Sequence, residues 1–184
     1  MIIAAAGRRI DANDTKEPRF PLQNVHIVTT RVRRMLETRG ATAVVCSAAC
    51  GADLLVLSEA GALGLRRKVV LPFDRERFRA TSVTDRLGDW AALYEQILNQ
   101  VEAAGDLVVI HTTCEDEAYS VTNRRILDEA VLLGEQFDEP VIAMLVWNGS
   151  SRGSDDLTAA FGAYARNRGL PVIEVLTDGA AMVD

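Results

Sequence analysis

The stretch between residues 42 and 55 combines the residue types of an anion-binding turn. A β-branched run at residues 42–46 predicts a buried strand, small residues follow at 47–51, and Asp53 opens an apolar-periodic helix. The first turn of a helix carries backbone N–H groups without helical partners, and the helix dipole favours negative charge there. Small side chains let a ligand approach that backbone. The same pattern also fits an ordinary strand–turn–helix connection.

Arginines follow other predicted strands, and their chemistry suits a phosphate. Arg8 and Arg9 come after the first strand, and Arg75 and Arg79 come after the third. Arg124 lies in the predicted first turn of the helix after the fourth strand, where the dipole disfavours a cation. A guanidinium group presents a flat fork of donors that matches phosphate oxygens. Each arginine also has a plainer interpretation, as a solvated surface charge or a member of a local salt bridge.

Two further groups of polar residues could contact the remainder of a ligand. Asn123 opens the helix that follows the fourth strand, and Gly153, Ser154 and Asp155 begin the last helix. The carboxylate of Asp155 could accept hydrogen bonds from ribose hydroxyls. It is equally typical of an ordinary helix N-terminus.

Catalytic patterns are sparse. The acidic loop of Glu115, Asp116 and Glu117 could supply a general acid or a nucleophilic carboxylate for glycosidic cleavage, or it could be a solvated loop. His111 ends the fourth strand without an evident Ser or Cys nucleophile beside it, and His26 lies among apolar residues of the first helix. The catalytic residues therefore stay unassigned.

The cysteines and the known phosphate motifs argue for neither a metal nor a cofactor. Cys46, Cys50 and Cys114 have no further Cys or His pair at zinc-site spacing, which favours buried thiols. The sequence contains neither the P-loop pattern nor the Gly-x-Gly-x-x-Gly dinucleotide pattern. We predict no metal site and no cofactor.

Strand-type and helix-type segments alternate along the chain. This alternation predicts a single domain over residues 1–184 with an α/β, three-layer Rossmann-like fold and a mostly parallel sheet of about six strands. The predicted strands are 2–6, 42–46, 68–71, 106–110, 141–146 and 171–176, and the predicted helices are 22–38, 52–63, 90–103, 121–135 and 154–167. Residues 75–83 form a polar segment outside these elements. All candidate residues then lie at the carboxyl edge of the sheet, where such folds bind ligands.

Composition narrows the class of partner. The net charge of −6 argues against a protein that mainly grips nucleic-acid backbone, but it leaves room for a small anion in a local basic pocket. No apolar run reaches the length of about 18 residues that a membrane span needs. The first residues lack a basic segment ahead of their short apolar run, so they predict a strand and a cytoplasmic protein.

Three motifs together resemble the SLOG superfamily, the Rossmann-like group that joins Smf/DprA proteins, lonely-guy phosphoribohydrolases and nucleotide-sensor domains. They are Gly7-Arg8-Arg9 after the first strand, the run from Ser47 to Asp53 after the second, and Asn123-Arg124-Arg125 in a later helix. Two features depart from the family pattern. Ala48-Ala49 stands where Gly-Gly is common, and Gly153-Ser154-Asp155 only distantly resembles part of the phosphoribohydrolase signature.

The resemblance implies a nucleotide or a nucleotide-derived ligand and a homodimer, with binding or sensing favoured over hydrolysis. It implies that Gly51, Ala52 and Asp53 line the phosphate or ribose, and that Asn123 and Arg124 contact the base or ribose. The alternative is an N-glycosidase or phosphoribohydrolase that acts on a nucleoside monophosphate, and a third is a protein-interaction domain. The predicted ligand-binding set is Gly7, Arg8, Ser47, Gly51, Ala52, Asp53, Arg75, Arg79, Asn123, Arg124, Gly153, Ser154 and Asp155.

Overall fold

A computed structural model describes residues 1–111 and 117–179, in which strands and helices alternate. The strands are β1 (Ile2–Gly7), β2 (Ala43–Cys46), β3 (Arg66–Leu71), β4 (Leu107–Val109), β5 (Val141–Trp147) and β6 (Val172–Leu176). The helices are α1 (Val25–Thr38), α2 (Ala52–Ala62), α3 (Arg75–Ser82), α4 (Ala91–Ala103), α5 (Ala118–Phe137) and α6 (Leu157–Asn167), and a 3-10 turn at Leu22–Asn24 leads into α1.

The strands form one sheet in the order β4-β3-β2-β1-β5-β6, and every pairing is parallel. Ile2 of β1 pairs with Ala43 of β2 on one side and with Val141 of β5 on the other. The chain therefore builds one half of the sheet outward from β1 and then crosses back to build the other half. The three-layer α/β, Rossmann-like fold predicted from the sequence is confirmed.

Two apolar layers cover the sheet. One face packs against α1, α2 and α4, and the other face packs against α5 and α6. Helix α2 is buried almost all round because it lies between α1 and α4 and against β1 to β3, and its sequence is correspondingly apolar from Leu54 to Leu57. None of the helices in the described parts of the chain is long and apolar enough to cross a membrane.

The sequence predicts a polar segment outside the helices and strands at residues 75–83. This prediction is wrong, because most of the segment forms helix α3. The side chain of Asp74 accepts a hydrogen bond from the backbone N–H of Arg77 at 2.9 Å and so begins the helix. Phe78 is fully buried and stacks on Tyr94 of α4, with ring centroids 6.4 Å apart. One buried aromatic ring and a capped N-terminus hold a helix whose remaining residues are mostly polar.

Two helix starts also differ from the prediction. Helix α5 begins at Ala118, three residues earlier than expected, so Asn123 and Arg124 lie beyond its first turn. Helix α6 begins at Leu157, with Asp156 rather than Ser154 as its N-cap. The carboxylate of Asp156 accepts hydrogen bonds from the first backbone N–H groups of α6, which is the stronger capping geometry.

Gly7 and Gly51 allow the ends of β1 and β2 to approach each other. A Cβ atom on Gly7 would lie 2.3 Å from the Cβ of Ala52. Gly51 has a φ of 93°, and a Cβ there would lie 2.8 Å from the backbone nitrogen of Ile10. Since neither position has room for a side chain, both need glycine.

Several backbone N–H groups of the turn after β2 donate to acceptors within the protein. The backbone N–H of Cys50 donates to Ser82, that of Ala52 donates to Arg8, and that of Ala49 donates to the carboxylate of Asp53. Of the donors expected in the first turn of α2, the N–H of Ala52 is therefore occupied, and those of Ala49 and Cys50 just before the helix are occupied as well. Their engagement by protein acceptors moves the search for donors from the backbone to side chains.

Candidate functional site

A cleft of about 730 Å³ opens at the carboxyl edge of the sheet. Its walls are the loop after β1, the turn after β2, α3, the start of α5 and the start of α6. This position is beside β1, where the strand order reverses, and open parallel sheets bind their ligands there. The volume lies in the usual range for small-molecule sites. We call this cavity the cleft throughout.

Several residues of the predicted set meet in the cleft. Gly7 and Arg8 contribute from the end of β1, Ser47 and Asp53 from the turn and helix after β2, and Asn123 from α5. They come from three separate parts of the chain. The expectation that strand ends share one pocket thus holds for these positions.

Other residues of the set lie outside the cleft lining. Gly51 and Ala52 form the support of the turn behind it, where Ala52 donates to the carbonyl of Arg8 at 3.0 Å. Arg75 and Arg79 face α4 instead, because both form ion pairs with glutamates there. Arg75 contacts Glu95 and Glu102 at 2.9 and 2.6 Å, and Arg79 contacts Glu95 at 3.3 Å.

Arg124 and the glycine–serine loop before α6 are also placed elsewhere. The guanidinium of Arg124 lies over the ring of Tyr164 on α6, 5.6 Å from its centroid. Gly153, Ser154 and Asp155 are exposed and do not line the cleft. The loop takes part through a residue outside the predicted set, Arg152, which lines the cleft.

Arg8 acts as a buried clamp between β1 and α6. Its guanidinium donates two parallel hydrogen bonds to Asp156, at 2.6 and 2.7 Å. It also donates to the Oδ1 of Asn148 at 3.1 Å and to the carbonyl of Ser150 at 2.7 Å. Burial alone would raise the pKa of Asp156, but the hydrogen bonds from Arg8 and from backbone N–H groups hold it well below its ordinary value. Most donors of Arg8 are therefore engaged within the protein.

Asp53 is a buried carboxyl in the wall of the cleft. Its side chain accepts from the backbone N–H of Ala49 at 3.2 Å, and only 8% of the residue is exposed. Burial raises its pKa to about 7, and the backbone groups of Ala49 and Gly7 and the charge of Arg9 partly oppose that rise. A cleft carboxyl that exchanges its proton near neutrality is typical of functional sites.

Several polar side chains in the lining of the cleft are only partly hydrogen-bonded. Among the described residues, six buried side-chain atoms lack a hydrogen-bond partner, and four of them belong to residues that line the cleft. These four are the Oγ of Ser47, the Nε of Arg9, the Nη1 of Arg19 and the Nε of Arg86. The guanidinium groups are otherwise engaged, since Arg9 and Arg86 pair with Asp85 and Arg19 lies 3.8 Å from Glu17. Buried polar atoms are rarely left without a hydrogen bond in native proteins, so this incomplete pairing makes the cleft the candidate site.

The lining is basic although the chain is acidic. Against the net charge of −6, the walls carry the cations Arg8, Arg9, Lys16, Arg19, Arg86 and Arg152 and the acids Asp11, Glu17 and Asp53. Two further acids pair with these cations from outside the lining: Asp156 with Arg8, and Asp85 with Arg9 and Arg86. One of the lining acids is engaged in the loop itself: Asp11 accepts the backbone N–H groups of Arg19 and Phe20 at 2.9 and 3.0 Å. The local field of the cleft favours an anion.

Lys16, Arg19 and Arg86 were missed by the sequence reasoning. Lys16 and Arg19 lie in the long loop after β1, which has no periodicity to place its side chains. The hydrogen bonds of Asp11, the burial of Phe20 and a hydrogen bond from Thr177 to the carbonyl of Arg19 fold that loop over the cleft. A buried Phe inside a polar loop was the available signal that the loop is anchored.

The catalytic candidates find little support in the geometry. Glu115, Asp116 and Cys114 lie outside the described residues, Glu117 is exposed at the start of α5, and neither histidine lines the cleft. Cys46 and Cys50 are buried thiols, and burial raises the pKa of both. Within residues 1–111 and 117–179, no three His, Cys, Asp or Glu side chains are grouped to hold a metal ion.

Compared with known proteins, the chain matches no protein-family model and no curated protein. The resemblance to the SLOG superfamily therefore stays a prediction that depends on the three motifs.

Proposed function

We propose that the cleft binds a nucleotide or a nucleotide-derived ligand, and that the protein acts by binding or sensing it. The observation that carries this proposal is a cleft at the sheet edge that is lined by several arginines, and in which Ser47, Arg9, Arg19 and Arg86 each keep one buried side-chain atom without a hydrogen bond in the described chain. Phosphate oxygens accept several hydrogen bonds each and match the guanidinium fork. The three arginines come from the two loops over one side of the cleft, which is the side we assign to phosphate.

The other walls suit a planar ring. Ile126 of α5 and Leu157 of α6 line the cleft as apolar side chains, and Tyr119 contributes an aromatic ring. The hydroxyl of Tyr119 lies 3.1 Å from that of Ser82, and its ring meets Phe73 edge to face. Cationic donors on one side and apolar surface on the other favour a nucleotide over inorganic phosphate alone.

A thermal-shift and calorimetry panel of nucleoside mono-, di- and triphosphates and cyclic nucleotides tests the proposal. A ligand present at 100 times its Kd adds about 2.7 kcal/mol of stability. For a chain of this size that raises Tm by about 5–10 °C. Arg19→Gln removes the guanidinium whose Nη1 has no hydrogen bond within the described residues and should weaken ligand binding about tenfold or more, since a hydrogen bond to a charged group contributes about 1.5–3 kcal/mol.

Arg34→Gln is the matched control, because Arg34 is exposed on α1 and outside the cleft. It should leave the affinity unchanged. Absence of a shift with every nucleotide would reject the proposal and leave the protein-interaction alternative. A shift that Arg19→Gln leaves intact would reject the assignment of the phosphate side.

One observation favours hydrolysis as a second candidate. Asp53 places a carboxyl with a pKa of about 7 in the cleft, and glycosidic cleavage uses a carboxyl group near the sugar. The N-glycosidase or phosphoribohydrolase alternative predicts that a nucleoside monophosphate releases its free base, which chromatography detects. Recovery of intact nucleotide after long incubation supports binding alone. Asp53→Asn should abolish any release that is seen.

A homodimer, which the family resemblance implies, and a cytoplasmic location, which the sequence predicts, are also part of the proposal. Leu132 and Phe137 of α5 are large hydrophobic residues that are 54% and 48% exposed, and such side chains favour a contact surface. Light scattering after size exclusion measures the mass in solution. A single-chain mass at all concentrations would reject the dimer.

A further inference from the structure

The end of the cleft between α5 and α6 holds an amide with a defined orientation. The Nδ2 of Asn123 donates to the backbone carbonyl of Leu157 at 2.8 Å. A carbonyl oxygen only accepts hydrogen bonds, so the nitrogen of the amide must face it. The oxygen of the same amide then points away from Leu157.

No group among the described residues donates a hydrogen bond to that oxygen. The contact with Leu157 is the one hydrogen bond that Asn123 makes there, and its Oδ1 is not among the atoms buried without a partner. Because Asn123 lines the cleft and is only 9% exposed, the accessible oxygen faces the cavity. The amide therefore offers the cleft its Oδ1 as an acceptor, while one N–H of its Nδ2 is held by the carbonyl of Leu157.

The neighbouring groups that the structure describes do not donate a hydrogen bond to that acceptor. The hydroxyl of Thr122 donates to the carbonyl of Ala118 at 2.8 Å, so its proton is engaged within α5. Arg152 also lines this wall, next to the ion pair of Arg8 and Asp156. Its guanidinium lies 3.9 Å from the carboxylate of Asp156, and about half of its side chain is exposed to solvent. Apolar contact comes from Ile126 and Leu157. This end differs chemically from the side that carries Arg9, Arg19 and Arg86.

Building on the proposed function, we propose that the nucleobase lies at the α5–α6 end and that the Oδ1 of Asn123 accepts a hydrogen bond from its exocyclic amino group. The site then takes a 6-aminopurine or a 4-aminopyrimidine nucleotide. A keto oxygen in the same position would face the Oδ1 of Asn123, and because both oxygens only accept hydrogen bonds they would repel each other. Since the amide cannot rotate without losing Leu157, it cannot adapt to the keto base.

Ligand pairs test the inference on the unaltered protein. AMP and IMP, and CMP and UMP, have the same phosphate and nearly the same shape within each pair. Purine riboside 5′-monophosphate replaces the amino group of AMP with hydrogen and introduces no new donor. Calorimetry should give a tighter Kd for the amino member of each pair by about 10- to 100-fold, the usual effect of leaving a buried polar group unpaired.

Two variants assign the preference to the amide. Asn123→Ala should reduce the AMP-to-IMP ratio of Kd values to within about twofold while phosphate-dependent binding persists. Asn99→Ala is the matched control, because Asn99 is exposed on α4 and outside the cleft, and it should keep the full ratio. The ratio compares two ligands on one protein, so a moderate loss of stability in a variant does not affect it.

The outcomes separate this inference from the function on which it rests. Equal affinity for amino and keto bases, or a preference that survives in Asn123→Ala, overturns the inference and leaves nucleotide binding intact. Tighter binding of the keto bases also overturns it. Absence of binding by any nucleotide overturns both.

Discussion

At the scale of single residues, two buried charged groups have opposite relations to the cleft. Arg8 is only 5% exposed and uses its guanidinium to hold Asp156, Asn148 and the loop before α6. Asp53 has no cationic partner at hydrogen-bonding distance in the described chain, and its pKa rises to about 7. The first residue is part of the framework, whereas the second can change its charge under ordinary conditions.

The raised pKa of Asp53 makes stability depend on pH. Between pH 3.8 and about 7 the folded chain holds a proton that the unfolded chain has released, so the free energy of unfolding falls as the pH rises through that window. The shift corresponds to a loss on the order of 4 kcal/mol between pH 3.8 and pH 8. Urea unfolding at pH 5, 6, 7 and 8 measures it.

Asp53→Asn is the control for that pH dependence. It removes the titrating group, so its unfolding curves should lack the part of the slope that Asp53 causes. If the wild type and Asp53→Asn show the same pH dependence, the carboxyl is not protonated in the folded state.

The clamp predicts that Arg8→Ala destabilises the protein before any ligand is added. Removing the guanidinium leaves the carboxylate of Asp156 buried without its partner, which costs about 3–5 kcal/mol. Arg124→Ala is the comparison, since Arg124 is exposed and should cost less than about 1 kcal/mol. Equal unfolding midpoints for the two variants would contradict the role given to Arg8.

At the scale of elements, sequence patterns predict the strands because they are short apolar runs, and most helices because apolar residues recur at helical spacing. Helix α3 was missed since its sequence is polar and its burial rests on Phe78 and Ser82. The side chains over the cleft were only partly predictable. Arg9 lay in a recognised motif, but Arg19 reaches the cleft through hydrogen bonds of its loop that no local pattern encodes.

The approach of β1 and β2 predicts a contrast between two glycines. Gly51→Ala and Gly40→Ala both place a side chain at positive φ, which costs about 1–2 kcal/mol. Only Gly51 also lacks space, because its Cβ would lie 2.8 Å from the nitrogen of Ile10, whereas Gly40 has no neighbour within 4 Å. Gly51→Ala should therefore be the more destabilising by about 2 kcal/mol in chemical unfolding, and equal effects would contradict the close approach.

At the scale of the whole molecule, charge is distributed unevenly. The chain has a net charge of −6, yet the cleft lining is basic. The potential of the cleft attracts a small anion, whereas the acidic remainder of the surface repels a large polyanion.

This uneven charge predicts that duplex DNA does not bind in the range that matters for function. Fluorescence anisotropy with a labelled duplex in 50 mM salt should give no binding below about 10⁻⁴ M, the weak limit of nonspecific complexes. A mononucleotide that binds in the same buffer is the positive control. Micromolar binding of the duplex would contradict this prediction and would show that basic side chains outside the cleft bind DNA together.

The strand order also has a consequence for how the chain folds. The residues that pair β1 with β2 all lie within the first 46 residues, whereas the other neighbour of β1, strand β5, begins at residue 141. Until β5 pairs with β1, the centre of the future sheet is an open edge that can join a second chain. Because this late, long-range pairing must bring distant segments together, we expect it to limit the folding rate. Pulsed hydrogen exchange should then show the amides between β1 and β5 among the last to be protected.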